Sequence, residues 1–147
     1  MWIKNVLSET LCAARIEGVS KKRVLDKVAQ TLGEQYGVDA NTLFSQLVAR
    51  EKLGSTGIGD GVAIPHCRFD TDEAMLAVFT LDQGIDFDAI DQQPVDVVFA
   101  MVAPENSEQN HLENLAAIAS ALQNEDYLKH LRQANSAQEL YLAATEQ

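Results

Sequence analysis

Cysteine is scarce in this chain: Cys12 and Cys67 are its only two. They are too few for a disulfide framework and form no Cys-x-x-Cys pair, so the expected setting is a reducing cytoplasm. Long apolar runs are missing too. The longest uninterrupted one, 97–103, falls far short of the roughly 20 residues that a membrane-crossing helix needs. The first ten residues are broken by polar and charged side chains before a signal-peptide core can form, so export is not expected. Basic residues are also in short supply, 11 Lys and Arg against 22 Asp and Glu, for a net charge of −11. Such a surface repels phosphate backbones and excludes nucleic acid as an expected partner. There is no internal repeat, low-complexity tract or linker. The 147 residues, 46% of them hydrophobic, read as one globular domain over 1–147 with a respectable core.

What is present alternates between helical and extended patterns. A short alternation over 11–16 suggests an edge strand, ending near Gly18. Ser20 then caps a helix whose inward stripe is Val24, Leu25, Val28, Ala29, Leu32 and Tyr36, with Gly37 as its stop. Lys21, Lys22 and Arg23 stand in its first turn, against the helix dipole, as either a docking patch for an acidic surface or a solvated helix end. A second helix starts after Asp39, turns Leu43, Phe44, Leu47 and Val48 inward and closes at Gly54. Strands are expected over 74–81, 85–87 and 95–102, with their pairing directions open. Ser107 can cap a helix carrying His111, Leu115, Ile118 and Leu122 on its inward face. Asn124 caps a further helix with Tyr127, Leu128 and Leu131 inward and His130 outward. The last helix opens on the box Ser136-x-x-Glu139. The fold class is therefore α/β: a mixed sheet of about five strands flanked by helices.

The most informative stretch lies between the second helix and the strands. Glycines at 54, 57, 59 and 61 lead through Val62-Ala63-Ile64 to Pro65-His66. Clustered glycines give up backbone entropy, which makes sense where the chain turns sharply or something approaches its backbone closely. Pro65 fixes its own φ and biases Ile64 toward extended geometry, so His66 is held on a stiff approach. Arg50, Lys52 and Arg68 lie near it in sequence, an unusual basic cluster for so acidic a chain. They either hold an anion against the imidazole or are solvated charges beside a loop. Arg50 either reaches toward His66 or answers the negative end of its own helix. His111, in a first helical turn, feels the positive helix end; it is either a half-buried structural residue or a partner for an anion.

Rival chemistries fit less well. The loop lacks the Gly-Lys-Ser/Thr ending of a nucleotide loop and precedes a strand where that loop precedes a helix; it also fails the Gly-x-Gly-x-x-Gly order. A metal site of His66, Cys67 and His111 would need adjacent strand residues to face the same way, so no metal or other cofactor is expected. Ser55 and Cys67 lack the local signature of a hydrolase nucleophile. A protein-binding regulator that is never modified stays open.

The run LGSTGIGDGVAIPH over 53–66 resembles the active-site signature of the fructose/mannitol class of enzyme IIA proteins of the bacterial phosphotransferase system. With Arg50 sixteen positions before His66, it is most similar to the nitrogen-regulatory branch. The resemblance extends over 11–142 and departs at Cys67-Arg68, where relatives often carry glycine and lysine. It implies that His66 accepts a phosphoryl group, on Nε2, from an HPr-like histidine phosphocarrier protein. It further implies that His111 positions the group and that Arg50 offsets its charge. Phosphoryl transfer needs mainly positioning and electrostatic stabilisation, and backbone N–H groups along Ser55, Thr56, Gly57 and Gly59 are expected to contribute. The sequence itself does not choose between the imidazole nitrogens. In this branch the phosphorylation state is expected to control target proteins, such as sensor kinases or potassium transport components. The sugar alternative, handing the group to a permease IIB domain, is less expected because no such domain is attached.

Overall fold

The computed structural model describes residues 2–17 and 19–146. Its centre is a strand pair that almost nothing but apolar side chains could build. β5 (Met75–Ile85) and β6 (Val95–Pro104) run antiparallel, and residues 75–81 and 97–103 are buried without interruption. Continuous burial along a strand, in place of alternation, requires cover on both faces of the sheet. On one side of the pair lies the edge strand β1 (Cys12–Ile16), parallel to β5. On the other, β3 (Val62–Ala63) and β4 (His66–Phe69) both run parallel to β6, and β2 (Gly57–Gly59) closes the sheet antiparallel to β3. The sheet is mixed and six-stranded, as the α/β expectation of about five strands anticipated.

Val62 pairs with Val97 and His66 with Met101, four residues on in both strands. β3 and β4 are therefore one line of chain interrupted at Ile64-Pro65. Pro65 has no N–H to give, yet its carbonyl still accepts from the Met101 N–H at 2.8 Å, so the register survives the break.

The helices follow their sequence signals. α1 (Trp2–Val6) precedes a 3₁₀ turn, Glu9–Leu11, and buries Ile3; the sequence reading did not anticipate this helix. α2 (Lys21–Tyr36) is capped by the Ser20 hydroxyl, which accepts from the Arg23 N–H, and ends at Gly37 with φ 73°. α3 (Ala40–Leu53) is capped by Asp39, which accepts from the Thr42 N–H, and it packs on α2 and β4. α4 (Glu108–Ala121), α5 (Glu125–Gln133) and α6 (Ala137–Thr145) pack against β1, β5 and β6. The Asn124 and Ser136 caps are in place, His130 is exposed, and Glu139 reaches back to the Asn135 N–H.

Three expectations need correction. The strands expected at 74–81 and 85–87 are one strand, β5, bulged between Thr80 and Ile85, with Phe87 buried beyond its end. Part of the glycine stretch is a hairpin: Asp60 (φ 58°) and Gly61 (φ 79°) make the two-residue left-handed turn between β2 and β3. Ser107 stands at the start of α4, but its hydroxyl donates to the Pro104 carbonyl at 2.9 Å and caps no N–H. Gly18, read as the end of the first segment, lies outside the described residues.

Candidate active site

The break at Pro65 fixes the imidazole that follows it. His66 opens β4, half-buried, with Nδ1 2.7 Å from the carbonyl of Ile64. A carbonyl only accepts, so Nδ1 carries the hydrogen and Nε2 holds the free lone pair. Cys67, next along the strand, faces the other way and is buried. Burial pushes its thiol, and that of Cys12, up to about 12, away from the thiolate form that a nucleophile needs.

α4 brings the second imidazole. The His111 N–H donates to the Ser107 carbonyl at 2.9 Å, and its ring centroid lies 5.6 Å from that of His66 at an interplanar angle of 53°. The side chain is 7% exposed, and its Nδ1 has no hydrogen-bond partner among the described residues. A buried polar nitrogen without a partner is uncommon in a folded protein, and here it lies beside the His66 ring.

Arg50 comes from the last turn of α3. Its Nη1 donates to the Gly54 carbonyl at 2.8 Å, just past the helix end, and its charge reaches His66. The hydrogen bond matches the reading in which Arg50 answers the end of its own helix. Of the other basic residues, Arg68 lies 3.9 Å from Glu108 and its charge reaches His111. Lys52 does not join them: it is exposed and lines a groove of about 790 Å³ between α2 and α3, together with Lys21 and Lys22.

Both imidazoles are held below their ordinary proton affinity. For His66 the main cause is burial, which disfavours the cation. The Ile64 hydrogen bond opposes this, the Arg50 charge adds to it, and the Glu51 charge opposes it. For His111 the causes are burial, then the neighbouring His66, then Arg68. At neutral pH this favours the neutral form of both rings.

The glycine loop is organised by a residue that the sequence reading passed over. The side chain of Glu51, 6% exposed, accepts from the Thr56 N–H at 3.0 Å, from the Thr56 hydroxyl at 2.5 Å and from Lys21 at 3.0 Å. The Ser55 hydroxyl donates to the Phe87 carbonyl at 2.6 Å and accepts from the Gly57 N–H at 3.0 Å. Hence the N–H groups of Thr56 and Gly57, expected to face an anion, already have acceptors within the chain. Gly57 is packed on Ala89, and Gly59 (φ 103°) sits beside the Asp91 carboxylate. A second overlooked residue, Arg132, holds the hairpin turn. It donates to the Asp60 carbonyl at 2.7 Å and grips Asp96 through Nε and Nη2. Lys21 bridges Glu51, Asp88 and the Phe87 carbonyl, which gives this member of the Lys21–Arg23 trio a structural place. Among the described residues, no cluster of three or more His, Cys, Asp or Glu side chains could hold a metal ion.

A family model described as phosphoenolpyruvate-dependent sugar phosphotransferase system, EIIA 2, matches residues 5–146. A nitrogen regulatory protein of Pseudomonas aeruginosa is 43% identical over 141 residues, covering 95% of this chain and 92% of that protein. The chain is also 30% identical over 138 residues to a fructose-specific EIIABC component of Bacillus subtilis, covering 92% of this chain and 22% of that protein. Among solved structures, the nitrogen regulatory protein IIA-Ntr of Neisseria meningitidis superposes with a TM-score of 0.91 at 34% identity, over 99% of this chain and all of that one. On these matches, and with the paired imidazoles in place, the chain belongs to the EIIA type 2 family of the phosphotransferase system.

Proposed function

We propose that the protein is a nitrogen-related enzyme IIA whose His66 takes a phosphoryl group from an HPr-like histidine phosphocarrier and whose charged state then controls other proteins by contact. The single observation that carries this reading is the hydrogen bond from His66 Nδ1 to the Ile64 carbonyl, which leaves Nε2 as the attacking nitrogen. In the transfer, the Nε2 lone pair forms a new P–N bond while the P–N bond to the carrier's imidazole breaks and its electron pair returns to that ring. His111 donates to a phosphoryl oxygen, and Arg50 offsets the charge that develops on the group. Ser55, Thr56, Gly57 and Gly59 serve by shaping the wall of the site.

Phosphorylation would bring to His66 a phosphoryl group that itself carries roughly −2 of charge, within reach of the Arg50 charge and enough to change what docks there. Exposed apolar side chains stand close by in sequence to take part in such docking: Leu53 at the end of α3, Ile58 in β2 and Leu112 beside His111. The regulated targets in this proposal are proteins such as sensor kinases or potassium transport components, which the resemblance to the nitrogen-regulatory branch implies. Among the described residues no helix is long and apolar enough to cross a membrane. The proposed relay starts from phosphoenolpyruvate, so the location that goes with this reading is the cytoplasm. The match to the fructose-specific component favours a second reading, transfer onward to a permease IIB domain.

The test is single-turnover acceptance from the phosphocarrier, charged by phosphoenolpyruvate and the first enzyme of the system. Wild type should take up one acid-labile group and His66→Ala none. Arg50→Lys should slow uptake, because a point charge does not reproduce a planar fork. Equal uptake by His66→Ala would overturn the reading.

A further inference from the structure

Glu51 lies outside the imidazole pair, yet three hydrogen bonds connect it to His66 by way of the backbone of Thr56 and Ile64. Its carboxylate accepts from the Thr56 N–H at 3.0 Å. The Thr56 carbonyl accepts from the Ile64 N–H at 3.0 Å. The Ile64 carbonyl accepts from His66 Nδ1 at 2.7 Å. Behind Glu51 stands Lys21, 3.0 Å away, which is itself fixed by the Phe87 carbonyl at 3.2 Å and lies over the Phe87 ring at 4.8 Å. Thr56 and Ile64 are each held at both their N–H and their carbonyl, so what the line carries from Glu51 to His66 is position.

We propose that Glu51 is a positioning residue for His66: through Thr56 and Ile64 it aims the carbonyl that holds the Nδ1–H tautomer and so keeps Nε2 free to accept the phosphoryl group. The inference rests on the proposed relay for its consequence but not for its geometry. The Glu51 carboxylate binds Thr56 through both backbone N–H and side-chain hydroxyl, so the first residues after α3 have little freedom to swing. Without that anchor the 54–57 segment is held by Arg50 on the Gly54 carbonyl, Ser55 on the Phe87 carbonyl, the Ile64 N–H on the Thr56 carbonyl and the Ile90 N–H on the Gly57 carbonyl, none of which fixes the Thr56 side chain or its N–H. The Ile64 carbonyl would then lose its fixed aim, and the two neutral tautomers of His66 would be free to mix.

A charge effect accompanies the geometric one. The groups that bear on His66 are Arg50 and Glu51 from α3 and His111 from α4; Arg68, on its own strand, bears on His111 and is paired with Glu108. Glu51 is the carboxylate among them that favours the protonated ring. Glu51→Gln keeps an oxygen for the Thr56 N–H but removes the charge, whereas Glu51→Ala removes both. Thr56→Val deletes the hydroxyl link alone.

The experiment reads the ¹⁵N shifts of the His66 ring against pH, together with acceptance rates from the charged phosphocarrier. Wild type should show the Nδ1–H tautomer. Glu51→Gln should keep that tautomer while its ring titration moves to lower pH. Glu51→Ala should show mixed tautomers and an acceptance rate lower by on the order of ten- to a hundredfold. Thr56→Val should lie between wild type and Glu51→Ala. Unaltered tautomer and rate in Glu51→Ala would overturn the proposal. If Glu51→Ala fails to fold, an unmoved titration in Glu51→Gln with wild-type behaviour of Thr56→Val would do so equally. Should wild type accept no phosphoryl group while Glu51→Ala still scrambles the tautomer, the relay reading falls and the positioning role stands.

Discussion

Replacing Gly57 by alanine tests whether the glycine loop is a packed wall or a slack cradle. A Cβ at this position would lie 2.8 Å from the Ala89 Cβ and 2.9 Å from its Cα, with the Ser55 Oγ at 3.3 Å. The obstacle is backbone, and it has no flexible end to swing aside. The Ile90 N–H bonds the Gly57 carbonyl at 3.2 Å and the Gln92 N–H bonds the Ala89 carbonyl at 2.9 Å, so the 89–92 turn would have to move as a unit. Gly57 has no positive φ, so the cost is steric alone and belongs to the overpacking range of about 1–3 kcal/mol. For a domain of this size that lowers Tm by roughly 3–10 °C. Gly37→Ala makes the matched control. Among the described residues beyond its chain neighbours, nothing lies within 4 Å of a Cβ added there, but its φ of 73° costs about 1 kcal/mol. Both variants should melt early by circular dichroism. Only Gly57→Ala should also slow acceptance, because Thr56 and Ile64 share its hairpin. A Gly57→Ala protein that melts and accepts like wild type would refute the packed-wall account.

Three further outcomes follow from the same geometry. His111→Ala removes a ring whose Nδ1 has no partner among the described residues, so it strands no buried polar atom there. It should stay folded and slow acceptance on the order of a hundredfold, measured by rapid quench. Because His66 and His111 are held below their ordinary value of 6.5, the unfolded chain binds more protons than the native one between the two values. Stability from these rings is therefore fully present above about pH 6.5 and is lost as pH falls through their native values. The difference in stability between wild type and the His66→Ala/His111→Ala double variant should stay constant above that acidic window and change only within it. Arg132→Met severs the Asp96 fork and the Asp60 contact; with both side chains about a third exposed, the screened loss is about 1–2 kcal/mol. Denaturant unfolding should register it as a lower midpoint, with hydrogen exchange faster in the 57–63 hairpin.

Much of this architecture is written locally. Ser20, Asp39, Asn124 and Ser136 each cap the helix that follows them, because the cap bond spans only three residues. His66 was legible for a similar reason: Pro65 governs its approach, and the surrounding run is long and distinctive. The hairpin was harder to read. Asp60-Gly61 is a turn signal, but β2 and β3 are only three and two residues long, too short for alternation to show. The bulge that carries β5 through Asp82-Gln83-Gly84 depends on pairing with β6 and is invisible in composition. Glu51 and Arg132 were missed because their partners are Lys21, Thr56, Asp60 and Asp96, and only the fold brings these together. Lys52 shows the converse: closeness in sequence to His66 counts for little when a helix turn points the side chain into another groove.

The central claim is that His66 Nε2 receives the phosphoryl group. It is tested most directly by charging ¹⁵N-histidine-labelled protein from the phosphocarrier and recording the His66 ring nitrogens. The account predicts phosphorus attached at Nε2, with Nδ1 still hydrogen-bonded to the Ile64 carbonyl. Attachment at Nδ1, attachment to His111, or an uncharged His66 in a protein that binds the carrier would contradict it.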